Sequence, residues 1–172
     1  IMAEPITIYK LTILNMLDLV DYPLTGTQIL NFFLEQDYTD YFKVQQVLNE
    51  LTDAGLIIPE STHSNTVYTI TESGRSTLLL LRSKLTDAIE HDTIAFLKKN
   101  GQTLRISNSL LADYRRTPDD DYAVRCQLLV RGRKRIDLTL IAASREQAEI
   151  ICNNWKKQNE DVYAYLMDIL MR

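Results

Sequence analysis

The sequence predicts an α+β protein whose first half is mainly helical and whose second half carries an antiparallel sheet. Three observations support this. Up to about residue 100 the apolar side chains recur at helical spacing, interrupted near residues 56–70 by two short β-rich runs around a polar loop. From residue 104 the period changes to alternation, as in strands buried on one face. After residue 145 the helical period returns. These shifts divide the chain into a unit over residues 1–100 and an α+β appendage over 101–172.

The elements follow in order. Ile6, Lys10, Ile13, Leu14 and Leu17 predict a first helix over 6–20, with Lys10 the polar member of its stripe. It stops before Asp21-Tyr22-Pro23, because proline disfavours helical geometry in its predecessor. A second helix runs from about Thr27 to Gln36, capped by Thr25 or Thr27 and burying Ile29, Leu30, Phe33 and Leu34. The third follows Asp37-Tyr38-Thr39-Asp40 and reaches Ala54. Its inner face is Val44, Val47, Leu48 and Leu51, its outer face Phe42, Gln46, Asn49 and Asp53. Gly55 closes it where a left-handed backbone costs least. Leu56-Ile57-Ile58 and Val67–Ile70 form a hairpin. A fourth helix begins at Thr71–Gly74 and passes through Leu78–Leu81 towards Leu85. A fifth spans Thr86 to Asn100, burying Ile89, Thr93 or Ile94, and Phe96-Leu97, with Gly101 closing it.

In the second half the even positions are apolar, Asn108 apart, over 104–114, 122–130 and 136–142. They predict a three-stranded antiparallel meander with turns at Arg115–Asp121 and Gly132–Lys134. Helices over 145–158 (Ala148, Ile151, Cys152, Trp155) and 161–171 (Val162, Tyr165, Leu166, Ile169, Leu170) cover its apolar face.

Composition narrows the class. The chain has 172 residues, 45% hydrophobic and 24% charged, ordinary for a globular protein. The longest apolar run, Leu78–Leu81, is far short of the roughly 20 residues that span a bilayer. Ile1 before Met2 reads as an added residue, with Met2 the natural start, and no signal peptide follows. Two cysteines are too few for a disulfide scaffold, so a cytoplasmic location is expected. The net charge of −4 is unevenly spread. Residues 1–76 hold three basic side chains (Lys10, Lys43, Arg75) against ten acidic ones, and the remainder is net basic.

The stretches TGTQILNFFLEQDYTDYFKVQQVLNELTDAGLI (25–57) and VYTITESGRSTL (67–78) carry a resemblance. Their order of three helices, hairpin and helix resembles the winged helix-turn-helix plan. Leu51-x-x-Ala-Gly-Leu-Ile, a polar loop, then Tyr68-x-Ile-Thr-x-x-Gly, look like the wing region of PadR-like and MarR-like regulators. The whole chain is similar to an uncharacterised family of winged-helix proteins from Gram-positive bacteria. That resemblance implies a fold, with gene regulation as its functional expectation.

On such a fold the third helix would enter the major groove. Gln45, Gln46 and Asn49 suit base readout, because amide side chains pair with adenine in bidentate fashion. Tyr41 and Lys43 could hold phosphates, and His63 at the tip of the Ser61–Thr66 loop could touch one. The plain alternatives are a solvated helix face and an exposed loop histidine. Phe42 points outward, either packing under Tyr38 or Tyr41 or marking a protein contact. Leu78–Leu81 is apolar all round, implying burial on more than one side, by a second copy or by the appendage. Arg131, Arg133, Lys134 and Arg135 form a basic turn that is either a DNA or acidic-ligand contact or a solvated tip.

No catalytic residue, cofactor or metal site is expected. His63 and His91 lie in unrelated contexts, no glycine-rich phosphate loop is present, and Cys126 falls on an inward strand face. The expectation is a DNA-binding transcriptional regulator acting as a homodimer, with a small-molecule effector or protein partner. A protein-interaction adaptor without DNA binding is the alternative, favoured by the acidic first half and a wing without cations.

Overall fold

The structure is a computed structural model that describes residues 4–61, 65–130 and 133–172, and only the backbone of 102–109. The chain is a mixed α+β protein, and its described residues form six α-helices and two three-stranded antiparallel sheets. It divides into two compact units, one from residues up to Ser61 together with Asn65–Arg105, the other from Ile106–Arg172.

The first unit is built around α1 (Pro5–Leu19), in which seven consecutive residues, Leu11–Leu17, are buried. A surface helix would bury one stripe, so α1 is enclosed by its neighbours. Pro23 then leads into a two-residue strand, β1 (Leu24–Thr25), which the sequence pattern does not suggest. Thr25 caps α2 (Gly26–Glu35) through a capping box with Gln28, each side chain bonding the other's backbone N–H. Asp40 caps α3 (Tyr41–Asp53), which buries Val44, Val47, Leu48 and Leu51, the inner face expected from their spacing. Gly55, at φ 72°, ends α3 as predicted, in a conformation that a Cβ opposes.

The hairpin of β2 (Ile57–Ser61) and β3 (Thr66–Ile70) follows, and β3 pairs with β1 on its other edge. Next comes α4 (Glu72–Leu81). It stops at Leu81 rather than near Leu85, giving way to a 3-10 turn over Arg82–Lys84. Burial of Leu78–Leu81 on several sides is not found: Leu78 is in the core, whereas Leu79 and Leu80 are 74% and 80% exposed.

The final helix of this unit, α5 (Asp87–Ser109), corrects a predicted boundary. Sequence spacing closes the helix at Gly101 and opens a strand at residue 104. The helix instead runs on through Gly101, which keeps a helical backbone and has open space where a Cβ would point. An interior glycine costs only about 1 kcal/mol, less than surrendering the hydrogen bonds that continuation makes. Thr93 rather than Ile94 is the buried member of the 93–94 pair.

The second unit is the expected meander, beginning later: β4 (Leu110–Arg116), β5 (Tyr122–Val130) and β6 (Arg133–Ala142) in spatial order β4-β5-β6. Its alternation holds at Val124 and Cys126 but slips at a register shift between Leu128 and Leu129. Beyond that point Leu129 is buried and Val130 exposed. One helix, α6 (Arg145–Leu170), covers the sheet in place of the two predicted. The predicted break at 159–160 contains no glycine or proline. Asn159 is buried there, and its amide donates to the Trp155 and Lys156 carbonyls inside the helix. Trp155 fixes α6 to the sheet by donating its indole N–H to the Gln127 carbonyl at 3.0 Å. No helix among the described residues is long and apolar enough to cross a membrane.

Candidate nucleic-acid interface

The turn between α2 and α3 decides how α3 is held. Asp37 takes a left-handed backbone at φ 54°, a conformation aspartate tolerates better than most side chains. The next residue, Tyr38, is tied down three ways. Its N–H donates to the Phe33 carbonyl, its own carbonyl accepts from the Tyr9 hydroxyl, and its hydroxyl donates to the Asp92 carboxylate on α5. Burial and the neighbouring carboxylate push the Tyr38 hydroxyl pKa up to about 12. Below it, Phe32 meets Phe33, Tyr38 and Phe96 edge to face, with ring centroids 5.4–5.8 Å apart. Nothing in the sequence marks Tyr38 and Asp92 as a pair, because 54 residues separate them.

With its inner face in the core, α3 presents Phe42, Gln46, Asn49 and Asp53 outward, all exposed. At 100° per residue Tyr41 and Gln45 flank this stripe on one side and Lys43 and Glu50 on the other. Five of the six nominated residues therefore lie on α3: Gln46 and Asn49 on its exposed outer stripe, Tyr41 and Gln45 on one flank and Lys43 on the other. The sixth, His63, lies outside the described residues, as does the loop tip that carries it.

Several local contacts shape this surface. The Lys43 ammonium donates to Gln46 Oε1 at 3.3 Å, so the cation and one amide already form a pair. Lys10 on α1 reaches Glu50 at 3.2 Å and offsets one of the acids on that flank. Lys10 thus forms an ion pair rather than joining an apolar stripe. At the helix start the Asp40 carboxylate accepts the Lys43 N–H at 2.9 Å, occupying a position that would otherwise favour phosphate. Phe42 is 81% exposed and stacks with the Tyr41 ring, edge to face at 5.5 Å.

The hairpin is joined to the end of α3 through Thr71. Its hydroxyl lies 2.8 Å from the Gly55 carbonyl and 3.0 Å from the Leu56 carbonyl, and accepts the Gly74 N–H at 3.0 Å. Gly74 packs so tightly that a Cβ would lie 2.2 Å from the Leu56 carbonyl oxygen and 2.7 Å from Ile70. That approach gives Tyr68-x-Ile-Thr-x-x-Gly its physical meaning: the threonine bonds the corner and the glycine lets α4 close on it.

Elsewhere in the first unit, an open groove of about 720 Å³ runs between the end of α1 and α5, lined by Leu19, Val20, Tyr22, Ile94 and Leu97 with charged residues at its rim. Sequence pattern does not mark this groove, because its two walls, residues 18–22 and 94–101, are far apart along the chain. In the second unit Lys134 pairs with Asp137, and Arg125 holds Asp137 through two hydrogen bonds. Those contacts depress the Asp137 carboxyl to about 2. Arg133 and Arg135 are exposed, and Arg131 lies outside the described residues. Cys126 is buried, and burial raises its thiol to about 11. Among the described residues no group of three or more His, Cys, Asp or Glu side chains is placed to hold a metal ion.

Comparison with known proteins adds one relation. Residues 9–170 match the family described as Domain of unknown function (DUF4364). No curated protein and no solved structure matches the chain.

Proposed function

The chain belongs to the DUF4364 family, whose function is unknown, so its role must be read from its own side chains; we propose that it is a winged-helix DNA-binding transcriptional regulator acting as a homodimer. The observation that carries this reading is the outer face of α3. Gln46 and Asn49 stand exposed one turn apart on a helix whose opposite face is wholly in the core. The helix order, with a hairpin and α4 closing on the end of α3, supports a recognition helix backed by a wing. Adenine readout is the chemistry those amides offer. Phosphate neutralisation falls to Lys43, with His63 a further contact, so affinity depends on two copies binding together. The groove beside α1 and α5 suits a small apolar effector.

The first test is retention of mixed-sequence duplex DNA by the full chain across a salt series. Retention that weakens with salt is expected, and Lys43→Ala should flatten the slope of log K against log salt by about 0.9 for each phosphate left unneutralised. A chain that retains no duplex at low salt overturns the proposal.

One observation favours a second reading, a protein-interaction adaptor. Phe42 and Tyr41 form an exposed aromatic pair on the same surface, with Asp40 and Asp53 at its two ends. Charged residues are depleted and aromatics enriched at the centre of protein interfaces. On that reading Phe42→Glu abolishes capture of a specific partner, and duplex DNA is not retained.

A further inference from the structure

The two cysteines of the chain lie in the second unit, on different elements, and both are free thiols. Cys126 is 1% exposed, on the face of β5 that α6 covers, in a buried cluster with Val124, Ala148 and Trp155. Cys152 is half-buried and packs against the same cluster. On α6 it belongs to the stripe Ala148, Cys152, Trp155 and Asn159, whose four- and three-residue spacing makes one helix face.

Three observations fix where along β5 that face lies. Helix α6 starts at Arg145, just after Ala142, which pairs with Tyr122 at the beginning of β5. Glu149 accepts from the Tyr114 hydroxyl at 3.1 Å, and Tyr114 pairs with Val124. Trp155 donates its indole N–H to the Gln127 carbonyl at 3.0 Å. The helix thus advances along β5 in the strand's own direction. From Arg145 to Trp155 a helix rises about 15 Å, and from Tyr122 to Gln127 a strand rises about 17 Å, so the two keep level. Cys152 then falls over Arg125 and Cys126. Of these, Arg125 is exposed and bonded to Asp137, whereas Cys126 is buried towards the helix. Small side chains flank the pair, Ala148 one turn before Cys152 and Ala112 opposite Cys126 on β4, so little bulk stands between helix and strand at this level. Burial raises both thiols, that of Cys126 to about 11. The thiolate needed for exchange is therefore scarce, and reaction here runs over hours rather than seconds.

We propose that Cys126 and Cys152 form a redox-sensitive clasp, which a low-molecular-weight disulfide closes into a covalent bond between β5 and α6. The half-buried Cys152 thiolate attacks one sulfur of the reagent and expels the other half as a thiolate. The Cys126 thiolate then attacks the mixed disulfide at Cys152 and expels the second half. Both cysteines are oxidised, and the reagent is reduced to two thiols that take up the two protons the cysteines released. A dithiol reductant reverses the exchange. Closure ties α6 to the sheet and constrains the unfolded chain. The proposal depends neither on DNA binding nor on the homodimer reading.

The test incubates the full chain overnight with oxidised glutathione under native conditions, then follows intact mass, tryptic peptides and thermal unfolding. Expected are the loss of two hydrogens with no glutathione retained, and a link between the tryptic peptides 126–131 and 146–156. The unfolding temperature should rise by about 10 °C, and dithiothreitol should reverse both changes. Cys126→Ala should stop the reaction at one glutathionyl group on Cys152, and Cys152→Ala should leave the chain unmodified. Should Cys126→Ala fail to fold, the wild-type mass and peptide link decide alone. A wild-type chain that stays unmodified, retains glutathione, or links Cys152 between two copies would overturn the proposal. A closed bond that leaves the unfolding temperature unchanged would overturn its role as a clasp.

Discussion

Tyr38 joins three elements through one side chain. Its backbone fixes the α2–α3 turn against α1 and its hydroxyl reaches Asp92 on α5. The raised ionisation of that hydroxyl couples it to stability. Its folded pKa of about 12 exceeds the ordinary tyrosine value of 10.0. The contribution is therefore fully present below pH 10 and lost as pH rises through 12. Chemical denaturation between pH 8 and 12 should show a decline over that window that Tyr38→Phe makes shallower; an equal decline in both proteins would contradict the assignment. Gly74 makes a steric prediction. Gly74→Ala should destabilise the chain by about 3 kcal/mol in urea unfolding, because a Cβ only 2.2 Å from the Leu56 carbonyl oxygen must open the corner bonded by Thr71. Asn15 works in the other direction. Its side-chain oxygen is buried in α1 without a hydrogen-bond partner among the described residues. Asn15→Leu keeps the γ-branched shape and should raise stability by about 1 kcal/mol in the same measurement; a decrease of that size would mean the amide is satisfied. Glycine and threonine at 71–74 are visible in the sequence as a pattern. The reason for them is not, because a close backbone approach between residues 56 and 74 leaves no trace in composition.

Elements are legible wherever apolar spacing is the deciding force. The inner face of α3 and the hairpin follow from period alone, and Asp40 and Gly55 bound α3 in chemically apt positions; on α2 the expected Leu34 is instead 50% exposed and Phe32 is buried beside Ile29 and Phe33. The departures arise where a local signal outweighs its energy. Gly101 reads as a stop, yet a helix tolerates one glycine at modest cost. Alternation over 104–108 reads as strand, although five residues cannot separate the two periods. Residues 158–160 read as a break, although Asn159 bonds back into α6. β1 escapes detection because two residues have no period at all. The α3 surface carries its own prediction. Gln46→Ala and Asn49→Ala remove exposed side chains from a helix anchored by its other face. Thermal unfolding should move by less than about 1 kcal/mol, while DNA affinity falls by one to two orders of magnitude. A matching loss of stability would recast the amides as structural.

For the molecule as a whole, the acidic balance of the first half is the fact any functional account must meet. Part of it is neutralised within the fold: Lys10 pairs with Glu50, and Arg75 with Asp18 and Glu72. The α3 surface is left with Lys43 among Asp40 and Asp53, a weak field for a polyanion. On the regulator reading proposed above, binding would depend on base contacts and on the pairing of two copies more than on phosphate attraction. A charge count cannot place those ion pairs, since each joins elements distant in the sequence or lies on one helix turn. The most direct test incubates the full chain with a pool of genomic duplex fragments at low and physiological salt and sequences what is retained, with Gln46→Ala/Asn49→Ala alongside. Enrichment of a two-fold related sequence by the wild-type chain is expected, together with its disappearance in the variant. Equal enrichment by both proteins would contradict base readout through Gln46 and Asn49, and no retention by either at low salt would contradict the regulator reading and leave the aromatic pair on α3 as a protein-binding surface.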